Sequence, residues 1–257
     1  MKSETIKSRL LVILLVLFIN ITESPVLGSE ISETRQVKNR EIDQFVERCL
    51  SKLRSKFGNP YEPIKQVKIY YVDSVFCKCG RLSKPGEFYI QLTKRPKKVI
   101  TQPGLVFGAL AHECVHLNNY NLNDPYIEGL CCLFAEDILK EENKDWQEYQ
   151  KMIRSGAFMF YSLAYGMMLE LRDVVGEADL NLITKFGEED EKHDKQYETQ
   201  RHVNINRWLL SLNEAKREKA RSIILDYYPL LKKTADPNWR HQFDLPKLVK
   251  PVSKSQS

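Results

Sequence analysis

At 257 residues, with 42% hydrophobic and 28% charged residues, the chain has the composition of a globular protein. That excludes a fibrous repeat or wholesale disorder and allows one substantial core or two small lobes around a cleft. The formal net charge is +5, but acids are interleaved with the lysines and arginines, as over residues 140–144 and 213–221, and no long basic run occurs. The charge therefore describes a solvated helical surface and argues against nucleic acid as a partner.

Lys2, Lys7 and Arg9 precede an almost unbroken apolar run over residues 10–19, and Pro25-Val26-Leu27-Gly28 leads to Ser29. This pattern predicts a secretory signal peptide over residues 1–28 and export to the periplasm or outside the cell. The run is shorter than the roughly 20 residues a bilayer span needs, so no stable membrane span is expected once the signal is removed. An oxidising compartment permits disulfides among Cys49, Cys77, Cys79, Cys114, Cys131 and Cys132. Cys77 with Cys79, and Cys131 with Cys132, are spaced too tightly to bridge within each pair, so any bridges should join distant segments. Cys49 and Cys114 equally suit small apolar core positions.

Ile42, Phe45, Val46, Cys49, Leu50 and Leu53 recur at helical spacing and predict a first amphipathic helix, ended by Gly58-Asn59-Pro60. Residues 67–72 and 88–92 are β-branched and aromatic and predict strands, with residues 75–82 between them as a further strand. The pairing expected is antiparallel. From Pro103 the pattern is helical: residues 103–118, then a helix with Asp124 as N-cap and Pro125 at its first position. Further helices are expected over residues 146–171, 196–212 and 214–231, with a charged loop over 187–194 and an irregular tail over 235–257. The run Phe158, Met159, Phe160, Tyr161, Leu163, Tyr165, Met167, Met168, Leu169 nearly surrounds its helix with apolar groups, which predicts a buried helix.

His112-Glu113-Cys114-Val115-His116 is an HExxH sequence. On an α-helix, residues four apart stand one turn above each other on nearly the same face, so both imidazoles can point at one metal ion. The glutamate between them is turned by about 100°, which lets its carboxylate take a proton from an attacking water without itself being a ligand. Val106, Leu110, Cys114 and Leu117 form an apolar stripe, while Leu105, Ala109, His112 and His116 line another face with Gly108 leaving room beside the histidines. A catalytic zinc ion needs a third protein ligand and one open position. Leu122 stands where a metzincin would place its third histidine, which leaves a glutamate from the next helix: Glu128 in its first turn, or Glu136 two turns on. Gly129, beside Glu128, is expected to let the two helices approach closely.

His112 to His116, followed by Glu128-Gly129-Leu130-Cys131-Cys132-Leu133-Phe134-Ala135, resembles the gluzincin metallopeptidases, over roughly residues 67–139. The resemblance favours Glu128 over Glu136 as third ligand. It implies an α+β, zincin-like fold for residues 29–234: a small antiparallel sheet and HExxH helix within 29–122, then the glutamate helix and a mostly helical C-terminal part within 123–234. It further implies one catalytic Zn2+ on His112, His116 and Glu128, Glu113 as general base, and a peptide or protein substrate lying along the strand Glu87-Phe88-Tyr89-Ile90-Gln91-Leu92 at the cleft edge. Tyr161, Tyr165, His193 and His202 are the candidates for holding the oxyanion. The sequence departs from the pattern at Cys132, where several branches carry Asp or Asn to orient a ligand histidine. That departure motivates an alternative: a catalytically inactive zinc-binding or interaction protein on a degenerate peptidase fold. A helical protein whose motif is accidental is the remaining alternative.

Overall fold

The structure is a computed structural model that describes residues 35–36, 39–72, 77–93, 103–122, 124–155, 158–189 and 201–235. The expected signal peptide and, apart from Ala235, the expected tail lie outside the described residues. Chain order is β1 (Arg35–Gln36), α1 (Arg40–Phe57), β2 (Gln66–Val72), β3 (Lys78–Arg81), β4 (Glu87–Thr93), α2 (Pro103–Asn118), α3 (Pro125–Glu141), α4 (Trp146–Ile153), α5 (Met159–Val175) and α6 (Glu177–Asn181). A 3-10 turn (Leu182–Phe186) leads to β5 (Gly187–Glu189), β6 (Arg201–Val203), α7 (Ile205–Ser211) and α8 (Glu214–Thr234). The architecture is α+β, with a small sheet at the N-terminal side and a helical C-terminal part.

α1 begins where the Asn39 side chain accepts from the Glu41 and Ile42 amides, satisfying two of the donors a helix start leaves free. The predicted stripe, extended to Phe57, is buried, and each large apolar side chain in it contributes about 1.5–3 kcal/mol. Gly58, at φ +85°, ends the helix in a conformation that side-chain-bearing residues rarely adopt.

The sheet order is β1-β2-β4-β3. β3 and β4 form an antiparallel hairpin through Gly86, but β2 and β4 run parallel over Gln66↔Glu87 to Val72↔Thr93, which corrects the expectation of a wholly antiparallel sheet. The physical reason is the position of β3. It lies on the outer side of β4, so the chain leaving β2 crosses over and returns in the same direction, within the roughly dozen residues a parallel crossover needs. β4 is therefore an interior strand, with Phe88, Tyr89, Ile90 and Leu92 buried, and is not the cleft edge the resemblance implied. Among the described residues the outer edge on that side belongs to β3.

α2 is apolar almost all round and is correspondingly enclosed, by α1, the sheet, α3 and α4. Phe107 on α2 meets Phe45 on α1 edge to face at 4.8 Å. α3 starts as predicted, with Asp124 Oδ1 accepting from the Tyr126 and Ile127 amides and Pro125 in the first turn. Gly129 serves a different neighbour from the one expected. A Cβ there would stand 2.4 Å from the Ala164 carbonyl oxygen of α5, so the glycine admits α5, not α2, against α3.

The single helix expected over 146–171 is two helices, α4 and α5, and α5 runs on to Val175 before Gly176 stops it. α4 ends at Ile153, where the Arg154 amide closes the last turn on the Gln150 carbonyl. Phe160, Ala164, Tyr165, Met167, Met168 and Leu171 are buried on one side of α5, but Met159 is 51% exposed and Phe158, Tyr161, Leu163 and Leu169 are only half-buried, so the helix is covered on one side and not enclosed as that run predicts. The expected loop over 187–194 starts as β5, which pairs antiparallel with β6, and β6 occupies residues 201–203 of the helix expected over 196–212, of which Ile205–Ser211 is helical. The β5–β6 ribbon docks on the start of α3, where Asp124 Oδ2 accepts from the Val203 amide at 2.7 Å. No helix among the described residues is long and apolar enough to cross a membrane.

Candidate metal centre

α2 and α3 pack side by side and bring their chemistry together from adjacent turns. His112 and His116 project from one face of α2, and Glu128 from the first turn of α3 reaches both. Its Oε2 lies 3.1 Å from His112 Nε2 and 3.5 Å from His116 Nε2. The sulfur of Cys131, one turn after Glu128, lies 3.5 Å from His116 Nε2. One donor atom from each of these four residues falls within 4.8 Å of the others, an arrangement able to bind a metal ion.

The donor set and its spacing fit such an ion. Two nitrogen or oxygen ligands about 2.0–2.1 Å from a tetrahedral centre stand about 3.3 Å apart, a value that the two glutamate–imidazole separations bracket. The residues are also dry: Glu128 is 3% exposed, Glu113 6% and His112 8%. The charged groups of the cluster shift one another. Burial alone would lower the His116 pKa, but Glu128 and Glu113 outweigh it and raise it, while the imidazoles hold the Glu128 carboxyl low against its own burial. Two buried carboxylates, Glu128 and Glu113, thus act on the two imidazoles.

Glu113 lies beside this cluster without sharing its donor atoms. Burial raises its pKa, while the two imidazoles and the neighbouring Cys79 thiol of β3 pull it back. Glu136 is turned elsewhere, held by the Tyr165 hydroxyl and by Lys140 Nζ, so of the two glutamates only Glu128 meets the histidines.

The position weakened by Cys132 is filled from a distance in sequence. His112 Nδ1 lies 3.1 Å from Tyr149 Oη of α4, while Cys132 Sγ stands off at 3.9 Å. A hydrogen bond there fixes the ring and leaves Nε2 to face Glu128. Gly108 makes this possible, since a Cβ at that position would lie 2.3 Å from the Tyr149 ring. The space expected beside the histidines is thus occupied by the tyrosine.

Of the oxyanion candidates among the described residues, Tyr161 stands near the cluster, its ring centroid 5.9 Å from that of His112. Tyr165 is committed to Glu136, His202 sits in β6 near Asp124, and His193 lies outside the described residues. All six cysteines are free thiols. Cys131 was not read as a donor from the sequence, although its place three residues after Glu128, on the same helical face, was a signal that could have found it, whereas Tyr149 and Cys79 come from remote segments and carried no local signal. No protein-family model matches the chain, and no curated protein or solved structure is detectably similar to it.

Proposed function

We propose that the chain is a zincin-like, metal-dependent peptidase, exported to the periplasm or the cell exterior, with His112, His116 and Glu128 as ligands of one zinc ion and Glu113 as general base. The observation that carries this reading is the convergence of one Glu128 oxygen on both imidazoles, at separations suited to a shared ion, with a second buried carboxylate alongside. A zinc ion bound there supplies Lewis acidity, polarising a carbonyl and acidifying water at neutral pH.

The chain's own groups supply the rest. Glu113 takes the proton of the attacking water and passes it to the leaving amine, a task served by burial that strengthens its hold on a proton. Tyr149 orients His112, and Tyr161 is the donor nearest to where an oxyanion would develop. An extended peptide would add to the outer edge of β3, since β4 is paired on both sides.

Two measurements on the purified protein test the proposal: zinc content, and hydrolysis of an unfolded protein by wild type and Glu113→Gln. About one zinc per chain, with hydrolysis abolished in the variant while the metal stays, is the expected result. Hydrolysis that survives Glu113→Gln overturns it. A second reading, a metal-holding protein without turnover, is favoured by the presence of Cys131 as a fourth donor.

A further inference from the structure

We infer that Cys131 is a fourth protein ligand of the centre, a thiolate latch that fills the position an attacking water needs, so that hydrolysis starts only from the state in which its sulfur has left the ion. The inference rests on the reading of His112, His116 and Glu128 as ligands.

Register supports it first. Cys131 follows Glu128 by three residues in α3 as His116 follows His112 by four in α2, so each helix offers two donors one turn apart on one face. Distance supports it next. A sulfur about 2.3 Å and a nitrogen about 2.05 Å from a tetrahedral ion stand about 3.6 Å apart. The Cys131 Sγ to His116 Nε2 separation is 3.5 Å. The neighbouring thiol gives the contrast. Cys132 is equally buried, yet its sulfur faces Nδ1 of His112, the side of the ring turned away from Glu128. Two adjacent cysteines thus take different positions, one among the donors and one behind them.

Two consequences follow. Four protein ligands make the closed set characteristic of structural zinc, whereas turnover needs three and an open position, so the latch decides between the two states of one site. A thiolate donor also selects a borderline or soft cation of the zinc class over magnesium, calcium or manganese. When the latch closes, the Sγ–H bond breaks as the sulfur–metal bond forms and the proton leaves to solvent; nothing is oxidised or reduced.

Cobalt(II) loaded into the full chain in place of zinc reads the ligand set directly. Wild type and Cys132→Ala should show a sulfur-to-cobalt charge-transfer band. Cys131→Ser and Cys131→Ala should lose that band, keep the visible bands of bound cobalt, and, loaded with zinc, hydrolyse an unfolded protein faster than wild type. A wild-type spectrum without the sulfur band, or a band that persists in Cys131→Ala, overturns the inference while leaving the histidine–glutamate site standing. Loss of the band with no gain in hydrolysis overturns the latch. Absence of bound cobalt from wild type, with His116→Ala indistinguishable, overturns the underlying site reading as well.

Discussion

Replacing Tyr149 by phenylalanine removes one oxygen atom and keeps the ring that fills the space over Gly108, so it isolates the hydrogen bond to His112. Tyr149 is 3% exposed and His112 8%, so water has little access to replace the lost partner. The remaining neighbour of Nδ1, Cys132 Sγ at 3.9 Å, is a weak and distant substitute. Leaving a buried ring nitrogen without its partner costs about 1–3 kcal/mol. Because that ring must present Nε2 to the ion, the cost should fall on metal binding, as an affinity roughly 10–100-fold weaker. Competition against a chromophoric chelator measures the affinity, and thermal unfolding of the metal-free variant separates it from a general loss of stability. An unchanged affinity accompanied by a lowered melting temperature would refute the reasoning, since Tyr149 would then be a packing residue only.

Gly108→Ala should act on the same bond from the other side: its Cβ, 2.3 Å from the Tyr149 ring, displaces the hydroxyl, and the double variant with Tyr149→Phe should bind metal no more weakly than the worse single one. Additive losses in that cycle count against the coupling. Gly129→Ala places a Cβ 2.4 Å from backbone of α5 and should cost about 2 kcal/mol, lowering the melting temperature by roughly 4–8 °C; a shift below a degree would mean α3 and α5 part freely. Burial pushes the Asp124 carboxyl from its ordinary 3.8 up to about 6, against the three amides that hydrogen-bond it. A raised carboxyl favours the protonated fold, so this stability is present below pH 3.8 and is lost as the pH rises to 6, by about 3 kcal/mol at 1.36 kcal/mol per pH unit. Denaturant titrations of metal-free wild type and Asp124→Asn should therefore show the gap between them narrowing over that interval; a constant gap contradicts the shift.

The helices were legible where one local signal dominated. The stripe from Ile42 to Leu53, the Pro103 start and the Asp124-Pro125 cap each state a rule that tertiary packing then obeys. HExxH put the histidines on one helical face, a local property of helix spacing, while the choice of Glu128 over Glu136 came from the resemblance to the gluzincins and not from spacing. What failed was long-range. Nothing in residues 67–92 records that the β3–β4 hairpin would place β4 between two partners, and so make β2 and β4 parallel. Gly108 and Gly129 were recognisable as points of close approach, but the neighbours they admit, Tyr149 and α5, come from segments more than thirty residues away. Cys132 was noticed as a missing carboxylate, yet its replacement arrives from α4, and Cys79 reaches Glu113 from a strand beyond the motif.

The most direct measurement of the central claim is the metal content of wild type, Glu128→Gln and Glu136→Gln after identical loading with zinc and removal of free ion. About one zinc per chain in wild type and in Glu136→Gln, with the ion lost from Glu128→Gln, is the predicted pattern. Full retention by Glu128→Gln, or loss confined to Glu136→Gln, would contradict the convergence of His112, His116 and Glu128 on one ion.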